Sequence, residues 1–384
     1  MMATMATNNA SFQPSSIPPT DETVWGGQHE PWVEVLISVV LWGLCAVTLI
    51  GNTLVLLVFI VDHRVRSKVS NLYILNLSMA DFLVGCISIP MNNIYTYRGV
   101  WTFGEAACKF WISMDFTACS VSVWTVVLIS YDRYMLVTKG LEYDKYQTKL
   151  KFLILAGITW AVSAFRNAFA YCGYDVWNET TVDYDIVCDS PLLQNVGYML
   201  YECTISFFIP VTLTMFFNMR LYMNIRRRSQ VLPGSNGPRP PTTLKRPAST
   251  ILVEPARTST MYGSEPGQMS TVGTGSDESG SSTALSRPSA SRREGTMDIK
   301  KHRRAAVTLA LIVGVSTTCW AIYFSITIVN VVFQKDIGST ASVAGYYVYY
   351  ANSAINPLLY VAVNPNIRRG IARILFLKRR PVFS

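Results

Sequence analysis

The chain has 384 residues, 50% of them hydrophobic and 15% charged, well under the roughly 25% charged residues of an average soluble domain. Its net charge of +9 would suit a nucleic-acid surface only if the basic residues gathered on one folded face. They cluster instead at the ends of apolar runs, which sets that class aside and points to a membrane protein.

Residues 1–31 are polar and Pro-rich, without a basic segment leading into a short apolar one. They read as a disordered extracellular N-terminus with no cleavable signal peptide, so the first helix starts insertion. Apolar runs then fall near 34–61, 70–96, 108–137, 149–172, 192–222, 303–333 and 340–363. Each reaches the roughly 20 residues a helix needs to cross hydrocarbon. The expectation is an all-α, seven-helix transmembrane bundle: 32–228 holds the first five helices and 299–363 the last two.

His63, Arg64, Arg66 and Lys68 follow the first run, Lys139, Lys145, Lys149 and Lys151 the third, and Arg226 to Arg228 the fifth. The loop at 175–189 instead carries Asp175, Glu179, Asp183, Asp185 and Asp189 and no Lys or Arg. Basic residues are retained on the cytoplasmic side. The expected topology is therefore a multi-pass plasma-membrane protein with its N-terminus outside and its C-terminus inside.

Of eight cysteines, Cys108 and Cys188 fall on the outer side, where an oxidising compartment permits a disulfide between them. Asn9 and Asn178 head outer glycosylation sequons, whereas Asn76 lies inside a helix and is expected to stay unmodified. Residues 229–298 are rich in Ser, Thr, Pro and Gly. Such a segment buries too little apolar surface to fold, and it reads as a disordered third cytoplasmic loop. In 364–384, Ile367, Ile371, Ile374 and Leu375 share a helical face apart from Arg368, Arg369 and Arg373. An eighth, amphipathic helix on the inner membrane surface is expected there, with no cysteine to carry a palmitoyl anchor. Kinase regulation then falls on the long loop.

An ionisable residue at membrane depth costs at least about 2.5 kcal/mol and marks a functional site by default. From Phe110 to Ser130 the only formal charge is Asp115, and Asp132 and Arg133 follow side by side. Asp115 and Arg133 are 18 residues apart, five turns, so they share one face about 27 Å apart along the axis. Trp111, Cys119 and Ser122 extend that face. Tyr346, Tyr350, Ser353, Pro357 and Tyr360 fall at helical spacing in the seventh run, and Trp320, Tyr323, Phe324 and Thr327 in the sixth. Aromatic stripes ordinarily supply core packing. Here they accompany an acid for which the cores of the third, sixth and seventh helices offer no lysine. Arg166, expected to snorkel outward, is the other internal candidate, and a cationic ligand is the simpler counter-ion.

The stretches GNTLVLLV, NLYILNLSMADFLVG, WTFGEAACKFW, SYDRYMLV, FFIPVTLTMFFN, CWAIY and NSAINPLLY together resemble the rhodopsin-class (class A) G-protein-coupled receptors across all seven helices. The resemblance implies an output end in Asp132, Arg133 and Tyr134, with Asn218, Tyr222, Pro357 and Tyr360. It also implies a cluster of Asn52, Asp81, Ser122, Asn352 and Asn356 that holds a sodium ion as an allosteric modulator; Asp81 alone would read as a satisfied buried carboxylate. No other cofactor or metal is implied.

Asp115 with Trp111 and Tyr350 is similar to the aminergic subgroup, in which the aspartate pairs with the ligand's ammonium. The implied binding set is Asp115, Trp111, Phe116, Cys119, Glu202, Ser206, Trp320, Tyr323, Phe324, Tyr346 and Tyr350. The cytoplasmic halves are most similar to histamine receptors that couple to inhibitory G proteins, and next to muscarinic acetylcholine receptors. The partners implied are a small cationic amine, histamine-like or acetylcholine-like, a heterotrimeric G protein, membrane lipids, and receptor kinases and arrestin at the 229–298 loop. Another monoamine, or constitutive activity without a ligand, is the alternative. Glu202 and Ser206, four residues apart on one face, leave two roles open for the acid: meeting a second basic group, or standing solvated at the pocket mouth.

Other classes lack their residues. A retinal photoreceptor needs a lysine in the seventh run, which has none; a transporter needs internal repeats, and none is evident; and His29, His63 and His302, at or beyond helix ends, form no catalytic set for an enzyme.

Three positions depart from the resemblance. Ile322 stands where proline is usual, removing a familiar cause of a sixth-helix kink; Ser316 replaces phenylalanine; and His302 replaces an acid that often restrains the arginine. With that restraint gone, basal signalling should be raised. Nucleotide exchange on an inhibitory G protein, measured without ligand, is expected to run faster than with receptor-free membranes.

Overall fold

The computed structural model describes residues 31–177, 182–231, 313–335 and 339–376. No strand occurs among them. The long helices are α1 (Pro31–Val61), α2 (Val69–Arg98), α3 (Gly104–Lys139), α4 (Lys149–Trp177), α5 (Val196–Arg227), α6 (Val313–Val331) and α7 (Ser339–Val363). The α5 helix continues to Val231, a little into the segment expected as loop. Helices α1 to α6 are long and apolar enough to cross a membrane; α7, diluted by Ser, Asn and Tyr, completes the seven. Residues 303–312 of the sixth run, most of 229–298, Asn9, Asn178, His29 and His302 lie outside the described residues.

The α3 helix packs against α2, α4 and α5, while α1 packs against α2 and α7. One apolar core fills the end of the bundle near Arg133, with Val55, Val58, Leu77, Tyr360 and Ile367 nearly inaccessible. A second, rich in aromatic rings, joins α3, α5, α6 and α7. Between the layers, Asn76 donates to Thr125 Oγ1 (2.7 Å) and accepts from the Trp160 indole (2.9 Å). With both ends of its amide used inside the bundle, Asn76 is no glycosylation acceptor.

Prolines shape the helices in ways that hydropathy does not show. A π-turn spans Val84–Ser88 in α2 and another Thr204–Phe208 in α5, each just before a proline, Pro90 or Pro210. Proline cannot donate to the carbonyl four residues back and crowds it; the added residue of a π-turn relieves the crowding and re-phases what precedes. In α7, Pro357 leaves the Ser353 carbonyl without its intrahelical donor, and the side-chain amide of Asn52 on α1 donates to it instead (3.1 Å). Gly51 lets the two helices meet there, since a Cβ at this position would lie 2.9 Å from Pro357 Cγ.

Two short helices, His63–Arg66 and Tyr143–Tyr146, went unread in the sequence. The first is capped by Asp62, whose carboxylate accepts the Arg64 N–H (3.0 Å).

Helix α8 (Pro365–Leu375) forms within the segment expected to hold an eighth helix. Ile367 is fully buried, Ile371 and Ile374 pack on the core, and only Leu375 stands exposed. Part of the apolar face thus docks on the bundle, while Leu375 and Phe376 stay exposed. Arg373 closes the joint by donating to Asp62 (2.8 Å). Gly370 permits the approach, because a Cβ there would fall 2.5 Å from Val58 Cγ1. Gly370→Ala should therefore cost about 1–3 kcal/mol through overpacking, read as a lowered apparent melting temperature in detergent, while Arg369→Ala on the exposed face should not.

Candidate ligand-binding site

At the end of the bundle that holds Cys108, the disulfide between Cys108 and Cys188 ties the loop before α5 to the start of α3. Trp101 is fully buried beneath it, accepts no exposure, and stacks on Trp111 (5.3 Å between ring centres). The Trp101 backbone N–H donates to Ile186 (2.7 Å), and the Cys188 N–H donates to the Tyr95 hydroxyl (3.3 Å). This lid roofs a cavity of about 290 Å³ between α2, α3, α7 and the loop.

Asp115 lines the cavity at 6% exposure. The Tyr350 hydroxyl donates to one carboxylate oxygen (3.2 Å), and the Cys119 thiol approaches the other at 3.9 Å. A buried carboxylate met by so few donors is under-compensated. Of the expected set, Trp111, Phe116, Tyr346 and Tyr350 share the cavity with Asp115, and Cys119 does not line it.

The rest of the expected set lies deeper. Trp320, Tyr323 and Phe324 are buried in the aromatic core, where Tyr323 packs 5.1 Å from Tyr346 and 4.7 Å from Tyr349. They are packed behind the cavity walls and do not line it.

Glu202 answers neither role left open by the sequence. At 2% exposure it is no solvated acid, and Arg166 holds it through two bonds, Nη1 to Oε2 (2.6 Å) and Nη2 to Oε1 (3.3 Å). Arg166 also donates to Ser120 (2.8 Å), and Ser206 donates to Glu202 (2.6 Å). Arg166 therefore does not snorkel outward, and it serves Glu202 rather than Asp115. Such a forked pair across α4 and α5 is the geometry guanidinium favours.

Sequence reading missed Asp189, which lines the same cavity. The one available signal was its place directly after a disulfide cysteine. Its carboxylate accepts the Ser190 N–H (2.7 Å) and the Gln194 amide (3.0 Å); burial pushes its carboxyl above the ordinary range, and these two donors pull it back.

Beneath the cavity, Asp81 accepts from Ser122 (3.2 Å), Ser353 (2.8 Å) and Asn356 (2.8 Å). Ser353 was read only as part of a stripe. Two expected members face elsewhere: Asn52 donates to Thr48 (2.9 Å) and Ser353 carbonyls, and Asn352 accepts from Ser316 (2.7 Å). The Ser316 hydroxyl thus occupies a polar niche that phenylalanine could not bond.

The sequence pattern of the 7 transmembrane receptor (rhodopsin family) matches residues 51–360. The chain belongs to that family. It is 28% identical over 362 residues to the human histamine H4 receptor (88% of this chain, 90% of the relative). It is 28% identical over 382 residues to a 5-hydroxytryptamine receptor of Bombyx mori (89% and 84%). The bovine alpha-1A adrenergic receptor is 26% identical over 342 residues (89% and 68%).

At the far end of the receptor's α3, Asp132 is fully buried and is held chiefly by the connector that follows, accepting from the Tyr143 hydroxyl (2.5 Å) and the Gln147 amide (3.1 Å). Arg133 Nε lies 3.8 Å from Asp132, and Arg133 Nη2 donates to the Ser70 carbonyl on α2 (3.1 Å). Tyr134 packs 5.9 Å from Phe217. Tyr222 is exposed, while the Asn218 amide nitrogen and the Tyr360 hydroxyl are buried without a partner.

Glu202→Gln in this receptor strips the counter-charge from a buried guanidinium and should cost about 3–5 kcal/mol, seen as a lowered apparent melting temperature. Replacing both partners, Arg166→Met with Glu202→Leu, should recover most of that loss.

Proposed function

We propose that this receptor binds a small cationic amine at Asp115, histamine-like or acetylcholine-like, and signals through a heterotrimeric G protein, of the inhibitory type. The observation that carries the proposal is a buried carboxylate opening on an aromatic-walled cavity whose lining includes no lysine, arginine or histidine. Tyr350 holds the carboxylate's orientation, and the faces of Trp111, Tyr346 and Tyr350 suit a cation, each such contact contributing about 0.5–2 kcal/mol. Relatives whose names specify histamine, 5-hydroxytryptamine and adrenergic receptors support an amine and keep other monoamines as the alternative ligand.

In this proposal the cavity end faces outside and the Arg133 end faces the cytoplasm, where basic loops flank α1, α3 and α5. Arg133, Tyr134, Asn218, Tyr222, Pro357 and Tyr360 would serve G-protein engagement, and the 229–298 loop receptor kinases and arrestin. A sodium ion fits Asp81, Ser122 and Ser353, which offer the hard oxygens such an ion takes, and Asn52 keeps a buried carbonyl oxygen without a partner. Asn352, committed to Ser316, is the weakest member of that set.

Asp115→Asn should abolish amine-evoked signalling or weaken it at least about 100-fold, since a charge-assisted contact inside a desolvated site is lost. Tyr350→Phe, which removes one hydrogen bond worth about 1 kcal/mol, should weaken it only several-fold. Concentration–response curves for histamine, acetylcholine, 5-hydroxytryptamine and noradrenaline in receptor-expressing cells provide the measurement. Equal responses from the parent and Asp115→Asn would refute the proposal.

A further inference from the structure

A single ammonium on Asp115 leaves part of the cavity's charge unmatched. The residues lining it include two carboxylates, Asp115 and Asp189, and no basic side chain. They come from different parts of the fold: Asp115 from the middle of α3, Asp189 from the lid.

Asp189 is held in place. Cys188 beside it is bonded to Cys108 and donates through its backbone N–H to Tyr95, and the carboxylate accepts from Ser190 and Gln194. Those two donors are neutral, so they orient the acid and leave its charge. Glu202, the acid that sequence alone offers as a second anchor, is already matched by Arg166. A site that presents two negative charges to one cavity is complementary to a molecule with two positive ones. Tyr95, Trp111 and Tyr346 line the same space and suit the apolar link between them.

We infer that this receptor favours ligands carrying two basic groups, the first ammonium on Asp115 and the second cationic group on Asp189 beneath the disulfide. The inference rests on the amine proposal and adds the ligand class and its second contact.

The test uses full-length receptor and two probe series: α,ω-diaminoalkanes of increasing length, and n-alkylamines of matched length. Binding is read as thermal stabilisation of the purified receptor over a concentration range. At the chain length that spans both acids, the diamine should bind about tenfold tighter than its matched monoamine, the scale of one hydrogen bond to a charged group. Asp189→Asn should erase that preference and leave the monoamine unchanged.

The inference is overturned if diamines show no advantage over monoamines on the parent receptor, including the case where neither binds. That comparison needs no variant and so does not depend on a variant folding. It is also overturned if Asp189→Asn weakens both series alike. Failure of the amine proposal looks different: monoamine binding then survives Asp115→Asn.

Discussion

A carboxylate carried into an apolar bundle must be compensated, and three of the buried acids show three ways of doing so. Glu202 receives a forked guanidinium and a serine hydroxyl. Asp81 receives three neutral donors from α3 and α7. Asp115 receives one tyrosine hydroxyl and a distant thiol. Because desolvation penalises each charge by several kcal/mol, a buried acid that has only neutral donors and borders a cavity gains from an arriving cation, and of the three only Asp115 lines one. In the proposed function Asp115 is the acid left for a ligand, while Glu202 and Asp81 knit the helices around it.

The same accounting governs the backbone. In a bundle of this kind every unpaired carbonyl is expensive, and each proline creates one. Pro357 is answered from α1 by Asn52, and Pro90 and Pro210 are accommodated by π-turns. Ser353 joins both systems, since its carbonyl takes the Asn52 amide while its hydroxyl serves Asp81. Side-chain chemistry and helix geometry are coupled at that one residue.

The seven helices were legible because hydropathy and length alone mark a membrane span. The core of the site was legible too, because a lone charge in an apolar run stands out, and helical spacing from Asp115 reaches Trp111 and Cys119. What escaped was pairing between helices. Nothing in the spacing of Arg166 and Glu202 says that they meet, and each alone invites a different role: a snorkelling base, a ligand-facing acid. Asn352 adjoins Ser353 in α7 and Asn52 comes from α1, yet the Ser316 hydroxyl engages the first and the Thr48 and Ser353 carbonyls the second. Asp189 was hidden among five acids of an irregular loop, where no period tells which side chain faces inward; the disulfide decides it.

The bond from Arg133 to the Ser70 carbonyl has an evolutionary corollary. Every amino acid brings a main-chain oxygen, so residue 70 can drift freely while its acceptor persists. A latch built this way leaves no signature in residue identity and is indifferent to protonation on the accepting side. Comparisons that search for a paired acid would overlook it, and lineages could shed the acid while keeping an anchor for the arginine.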